Sequence, residues 1–229
     1  MTLAATSTAE SHCSGSNAIW LASDVHAVAI DADIVFLDAR ADSYLCLVGT
    51  ADRIGIRGDG RMTAGDEDAQ ALMAAGLASR AHRAAAAALP AKPSRDLPWN
   101  GRAMSGREIA AASAAIVHTA LAFRTRTFLQ LLGDARTLGA GRERALASEP
   151  LLDAAAAFAR ARPWMPIGGE CLKRSYLLLA YLRRLGLDAD WVIGVRTWPF
   201  RAHCWLQSGE VALDDDAERL AAYTPILRV

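Results

Sequence analysis

A cysteine at the start of an apolar helix is the first candidate for chemistry in this chain. In GGECLKRSYLLLAYLRRLG, residues 168–186, two glycines and a glutamate precede Cys171, and apolar residues then recur at helical spacing up to Gly186. A thiol in the first turn of a helix faces unpaired main-chain N–H groups and the positive end of the helix dipole, which lower its pKa. Cys171 is therefore either an activated nucleophile or, as is more common for a free cysteine, a small core residue.

Two side-chain types that a nucleophilic thiol needs follow Cys171 in the sequence. His203 lies within RAHCWLQ (201–207), which has the alternation of a strand, and the acidic run 214–216 closes the apolar stretch EVALD. In acyl transfer a thiolate attacks a carbonyl, a histidine takes and returns the proton, and a carboxylate fixes the imidazole tautomer. A buried strand histidine and a solvated acidic turn are the plain alternatives. The order cysteine, histidine, aspartate favours a catalytic triad over three unrelated residues.

The predicted hairpin leaves the choice of aspartate open. Ser208-Gly209 forms a good turn between the predicted strands 201–207 and 210–214. A two-residue turn would set Asp214 opposite His203, whereas a three-residue loop or a bulge would set Asp215 there. Both aspartates stay candidates on spacing alone.

Composition argues against several other kinds of site. The 229 residues carry 25 basic and 25 acidic side chains, and this zero net charge gives no sign of nucleic acid or an anionic membrane surface as partner. The four cysteines form no CxxC pair, so neither a zinc knuckle nor a disulfide scaffold is predicted, and no metal is expected. The sequence shows no signal peptide and no apolar run of membrane-spanning length. We expect a cytoplasmic protein with free thiols.

Prolines and changes of periodicity divide the chain into four parts. Residues 1–17 are small and polar and are expected to form a disordered tail, and residues 18–82 have the pattern of short strands followed by weak helix. Prolines 90, 93 and 98 mark 83–104 as a linker. In 105–229 helices come first and strands follow. The chain is predicted to be α+β, with the Cys171 helix packed on a small antiparallel sheet.

The individual elements can also be predicted. In the N-terminal part, strands are expected within 19–48 and helix within 52–80. In the C-terminal part, helices are expected at 106–134 (capped by Ser105, with a break near Arg124), at 150–161 and after Cys171, and strands at 188–196, 201–207 and 210–214.

Several segments together resemble the lasso-peptide B proteins. In order they are C-L-K-R-S with a leucine-rich helix and R-R-L-G, then W-V-I-G-V-R, then P-F-R-A-H-C-W-L, then a short strand ending in D-D. The resemblance spans about residues 105–229. It implies a transglutaminase-like (papain-like) cysteine peptidase domain, which cuts the leader from a ribosomally made precursor.

The resemblance also implies a role for each site residue. Cys171 would be the nucleophile and His203 the base, and the family's aspartate, twelve residues past its histidine, corresponds to Asp215. The ending A-A-Y-T-P-I at 221–226 resembles that of the family and supports this register. The chain departs from the family at Cys204, where a small residue is more usual, and this places a second thiol close to the site.

The N-terminal part resembles a RiPP recognition element, a small winged-helix domain that binds leader peptides. The resemblance covers residues 18–82 and rests on order, size and position. It implies that the leader adds a strand to a sheet edge, with main-chain hydrogen bonds supplying most of the contact. The implied edge lies in 42–48, and an internal strand of an ordinary small domain is the alternative. The leader-binding candidates are Ser43, Tyr44, Leu45, Cys46 and Leu47.

The resemblance further implies partners. These are the leader region of the lasso precursor and an asparagine-synthetase-like macrolactam synthetase that closes the ring with ATP. It implies ATP dependence of the peptidase step as well, although the sequence has no Walker-type phosphate loop. The triad itself needs no bound cofactor. Two alternatives remain: an acyltransferase of the same fold, and a non-catalytic escort that holds precursor for the synthetase.

Overall fold

Helices and strands follow one another in the parts of the chain that the computed structural model describes, residues 18–83, 87–139, 147–165 and 170–229. The predicted tail, 1–17, and the two glycines before Cys171 lie outside these ranges. The strands are β1 Ile19–Leu21, β2 Val25–Ile30, β3 Asp33–Asp38, β4 Ser43–Leu47, β5 Gly55–Ile56, β6 Arg61–Thr63, β7 Ala78–Ser79, β8 Arg95–Asp96, β9 Asp190–Arg196, β10 Arg201–Ser208, β11 Val211–Ala212 and β12 Thr224–Arg228. The helices are α1 Asp66–Ala74, α2 Gly106–Thr125, α3 Phe128–Gly139, α4 Glu149–Ala161, α5 Cys171–Arg184 and α6 Ala217–Leu220, with a 3₁₀ turn at Arg162–Trp164. The predicted mixed α+β composition is confirmed.

Three sheets organise these strands. The first is the antiparallel meander β2-β3-β4, and the second has the order β5-β6-β1-β7. The third has the order β12-β9-β10-β11-β8 and is antiparallel except for the β11–β8 pair. Helix α5 packs against this third sheet and against α2, so the Cys171 helix and the His203 strand share one core.

Strand β3 is buried on both faces and joins the N-terminal part to the rest of the chain. Val35 and Leu37 belong to the large core around α5, whereas Ile34 and Phe36 belong to a smaller N-terminal core. Successive side chains of a strand point to opposite faces, so a strand that is buried on both faces has apolar residues at every position. Strand β3 therefore belongs to the cores of both the N-terminal and the C-terminal parts of the chain.

The segment predicted as a linker, 83–104, is instead attached to the third sheet. Strand β8 pairs in parallel with β11, and the Gln207 amide donates to the carbonyl of Ala91 at 2.9 Å. The carboxylate of Asp96 accepts a hydrogen bond from the main-chain N–H of Ala217 at 2.7 Å. The prolines that suggested a linker exclude a helix, but they are compatible with a short strand at a sheet edge.

The helical prediction for residues 52–80 is correct only for α1. Strands β5 and β6 precede that helix and β7 follows it, so the described N-terminal part contains one nine-residue helix among seven strands. Gly60 has a φ of +82° and turns the chain between β5 and β6, a conformation that glycine adopts readily. The predicted winged-helix arrangement is not confirmed.

In the C-terminal part the predicted elements are found with small shifts. Ser105 caps α2 in a capping box with Glu108, and the predicted break separates α2 from α3. The hairpin turn is Gly209-Glu210, not Ser208-Gly209, because Gln207 pairs with Ala212 and Ser208 with Val211. The predicted strand 210–214 is reduced to the two residues of β11, and β12 was missed.

Candidate active site

Cys171 is the first residue of α5 and lines a cleft of about 160 Å³. The other walls of this cleft come from β4, α3, β9 and β10. The pKa of Cys171 is lowered most by a hydrogen bond with the Cys204 thiol, whereas burial raises it. Hydrogen bonds with His203 and with the main-chain N–H of Cys204 lower it further, and the resulting pKa is about 4. Cys171 is therefore a thiolate at neutral pH.

His203 lies on β10, beside Cys171 and against the rings of Trp205 and Tyr223. Its Nε2 is 2.7 Å from Oδ2 of Asp215, which leaves Nδ1 as the ring nitrogen available to the thiol. Burial alone would lower the pKa of His203, but the bonds to Asp215 and Cys171 outweigh it and raise the pKa to about 9. Together with the lowered pKa of Cys171, the raised pKa of His203 favours an imidazolium–thiolate pair at neutral pH.

The three aspartates after β11 have three different environments. Burial opposes ionisation of Asp215, but the bond from His203 and the nearby Arg174 and Arg219 hold its pKa well below the usual range. The side chain of Asp214 is only 4% exposed. Its Oδ1 accepts a hydrogen bond from the main-chain N–H of Leu206 at 2.8 Å, and burial raises its pKa to about 6. Asp216 is exposed and precedes α6 without a side-chain capping bond.

The contact between His203 and Asp215 does not come from regular strand pairing. Continued beyond Gln207 and Ala212, the observed register would set residue 216 opposite His203. Past Ala212 one further ladder bond forms, from the N–H of Leu213 to the carbonyl of Leu206 at 2.9 Å. The carboxylate of Asp214 then takes the place of the main-chain acceptor for the Leu206 N–H. This local departure turns Asp215 toward His203, so neither of the two regular registers considered from the sequence applies.

Sequence reasoning gave no role to Arg174. Its Nη2 is 2.9 Å from Oδ2 of Asp215, the same oxygen that contacts His203, and its Nε is 3.7 Å from Oδ2 of Asp214. Arg174 follows Cys171 by three residues on α5, and residues at this spacing lie on the same side of a helix. That spacing was the available signal in the sequence, but it could not show which carboxylates the guanidinium reaches.

The five leader-binding candidates form β4, which is an edge strand of the meander. Tyr44 lines the cleft together with Asp42, and its ring centroid is 5.5 Å from that of Phe200. Burial raises the pKa of Tyr44 well above its usual value. Ser43 and Leu45 are exposed, and Cys46 and Leu47 are half-buried. The structure therefore brings one of the five, Tyr44, into the wall of the Cys171 cleft.

The cleft has the groups required for attack on a carbonyl carbon. The Cys171 thiol hydrogen-bonds His203, whose Nε2 contacts the carboxylate of Asp215. The first N–H groups of α5 have no acceptor within the helix and are suitable donors to an oxyanion. Among the described residues, no three His, Cys, Asp or Glu side chains are grouped so that they could hold a metal ion. None of the described helices is long and apolar enough to cross a membrane.

Residues 114–228 match the transglutaminase-like superfamily, and the chain belongs to this superfamily. Over 46 residues the chain is 44% identical to the microcin J25-processing protein McjB of Escherichia coli. That match covers 20% of this chain and 22% of McjB, so it spans about a fifth of the relative's length. The comparison with solved structures gave no match.

Proposed function

We propose that this protein is a cysteine peptidase that removes the leader of a ribosomally made lasso-peptide precursor before macrolactam ring closure. The observation that carries the proposal is that Cys171 and His203 line one cleft and contact each other, while Asp215 contacts His203. The 46-residue similarity to a protein named for processing microcin J25 supports the choice of substrate class.

In the proposed reaction the Cys171 thiolate attacks the carbonyl carbon of the scissile peptide bond. The main-chain N–H groups at the start of α5 stabilise the oxyanion of the tetrahedral intermediate. As the C–N bond breaks, the His203 imidazolium gives its proton to the leaving amine, and a thioester to Cys171 remains. His203 then takes a proton from water, which attacks the thioester and releases the leader carboxylate and the thiolate. Asp215 holds the imidazole in position throughout.

The leader, in this proposal, adds to the free edge of β4. Asp42 and Tyr44, at the beginning of this strand, line the Cys171 cleft, whereas Val48, just beyond its end, is exposed. A leader lies N-terminal to its scissile bond, so its C-terminal end has to reach the beginning of β4. The leader must therefore run antiparallel to β4, and its last residues pass Tyr44 on the way to Cys171.

The proposed partners are the precursor peptide and an asparagine-synthetase-like macrolactam synthetase that receives the freed core peptide. A ring-closing enzyme that joins the new amino terminus to a side-chain carboxylate requires prior cleavage of the leader. The His203–Cys171 pair supplies that free amine, because the protonated imidazole delivers its proton to the departing nitrogen.

The test is cleavage of full-length precursor by the full chain, followed by mass spectrometry, with and without the synthetase and ATP. We expect wild type to give leader and core whose summed mass exceeds the precursor by one water, and Cys171→Ala to give no cleavage. Cys13→Ala, which removes a thiol from the N-terminal segment, is the matched control and should cleave normally. Transfer of the leader to an added amine without uptake of water would favour the acyltransferase. Precursor binding without any cleavage by wild type would favour the escort.

A further inference from the structure

A second cavity, of about 640 Å³, lies at the opposite edge of the β2-β3-β4 sheet from the Cys171 cleft. His26 of β2 lines it, and His26, Leu37 and Tyr44 are aligned across the three strands, with Tyr44 in the cleft at the other end of that row. The cavity and the cleft have no lining residue in common. We call it the seam cavity, because β12 and α3 close it against the N-terminal strands.

The charges around the seam cavity are mostly positive. Among the residues that the structure describes, four arginines and one aspartate line it: Arg57, Arg83, Arg136, Arg228 and Asp24. The charge of Arg228 is paired with Asp190 at 2.8 Å, and Arg83 donates to the main-chain carbonyls of Ala22 and Val25. Within the described ranges, neither Arg57 nor Arg136 is part of an ion pair. Two of the four guanidinium groups, those of Arg57 and Arg136, therefore face the cavity without a carboxylate partner among the described residues, and both are exposed.

His26 is a buried polar residue in this wall. The residue is 6% exposed, and its Nε2 is buried with no hydrogen-bond partner in the described part of the chain. A buried polar group without a partner costs about 1–3 kcal/mol. Burial, with Arg83 and Arg136 adding to it and Asp24 opposing it, lowers the pKa of His26 to about 4, so the ring is neutral at physiological pH. A neutral imidazole donates a hydrogen bond through one nitrogen without adding a further charge.

We propose that the seam cavity binds a small oxyanion, a molecule with two or more phosphate or carboxylate groups. Guanidinium groups bind such oxygens in pairs of parallel hydrogen bonds, which makes arginine the common residue at such sites. The neutral imidazole of His26 would contribute a donor from the wall, and the exposed Arg57 and Arg136 would contribute positive charge at the rim. The cavity volume is within the range of small-molecule sites.

Calorimetric titration of the full-length chain tests this proposal. The probes are pyrophosphate and citrate, which separate phosphate from carboxylate recognition, and sodium chloride at equal ionic strength is the blank. We expect saturable binding of at least one probe, and at least tenfold weaker binding after the double change Arg57→Gln and Arg136→Gln. Arg107→Gln is the matched control, because Arg107 is exposed on α2 and does not line the cavity.

A second readout reports on the site itself. In ¹⁵N-histidine spectra the bound anion should shift the His26 resonances and raise the pKa of His26 above its value in the free protein, since added negative charge favours the imidazolium. His26→Gln keeps a donor and should bind more tightly than His26→Leu. Absence of saturable binding for both probes, or equal loss in Arg107→Gln, would overturn the proposal. Binding of an acidic peptide alone, with neither small anion, would also overturn it.

Discussion

Asp215→Asn is the change that most directly tests the geometry of the proposed triad. The Asp215 carboxylate is 2.7 Å from Nε2 of His203, and the same oxygen accepts a hydrogen bond from Nη2 of Arg174 at 2.9 Å. Loss of the orienting aspartate from a triad of this kind costs on the order of 10⁴ in kcat, because the imidazole is no longer held in the required tautomer. We expect a loss of about this size for Asp215→Asn, measured as cleavage of full-length precursor by mass spectrometry.

The pH profile of kcat/KM should change as well. Two unit charges about 4 Å apart interact by about 4 kcal/mol at an effective dielectric constant of about 20, which corresponds to about three pH units. Because Arg174 contacts the same carboxylate oxygen, we expect Asp215 to raise the pKa of His203 by roughly half of these three units. The His203 pKa is raised to about 9, so the imidazolium and the activity are present below that pH and are lost as pH rises through it. In Asp215→Asn the alkaline limb should therefore move to about pH 7–8.

Two neighbouring aspartates serve as controls for this prediction. Asp216→Asn alters an exposed residue and should leave the rate and the profile unchanged. Asp214→Asn keeps the acceptor for the Leu206 N–H and should cost less than tenfold in rate. The assignment of the orienting role to Asp215 would be refuted if the Asp215→Asn variant cleaved at more than a tenth of the wild-type rate. It would also be refuted if Asp214→Asn lowered the rate more than Asp215→Asn does.

Two further predictions concern other parts of the molecule. Cys46→Pro removes a main-chain donor of β4 that faces away from β3 and should weaken leader binding to the full chain, measured by anisotropy of a labelled leader, more than Cys46→Ala does. Equal effects would mean that the side chain, not the strand edge, is recognised. Gly194→Ala sets a Cβ 2.6 Å from the buried Trp205 ring and should lower stability by about 1–3 kcal/mol in thermal unfolding. Gly133→Ala, where no atom lies within 4 Å of the new Cβ, is its control, and an equal loss there would contradict the packing explanation.

The site could be predicted where the sequence pattern is local. The helix after Cys171 has a clear period, and the strand around His203 alternates, so both elements are found almost where they were expected. The hairpin was displaced by one residue because Ser208, Gly209 and Glu210 all suit a turn, and only the pairing partners decide among them. The pairing of Arg174 with Asp214 and Asp215 joins residues forty positions apart and has no local signature.

The errors in the N-terminal part and in the predicted linker have a common physical cause. Short strands such as β5, β6 and β7 have two or three residues each, too few for a period to be recognised. Strand β8 is stabilised by its partner β11 and by side chains from the far end of the chain, such as Gln207. Contacts of this kind depend on the tertiary fold. The proline-rich residues 83–104 have little intrinsic preference for helix or strand, so their sequence gave no indication of these contacts.

The double burial of β3 determines how leader recognition has to be studied. A cut after β7 would expose Val35 and Leu37, which are fully buried against the α5 core, and exposing two such side chains costs about 3–6 kcal/mol. Asp33 would also lose the bond that it accepts from the indole of Trp198 at 3.0 Å. Since typical domains are stable by only about 5–15 kcal/mol, the isolated N-terminal part would be a poor substitute for the whole. Tyr44 and Cys46 of β4 pack against the same core as Cys171, so the strand that we propose to hold the leader and the thiol that we propose to cut it depend on one packed core.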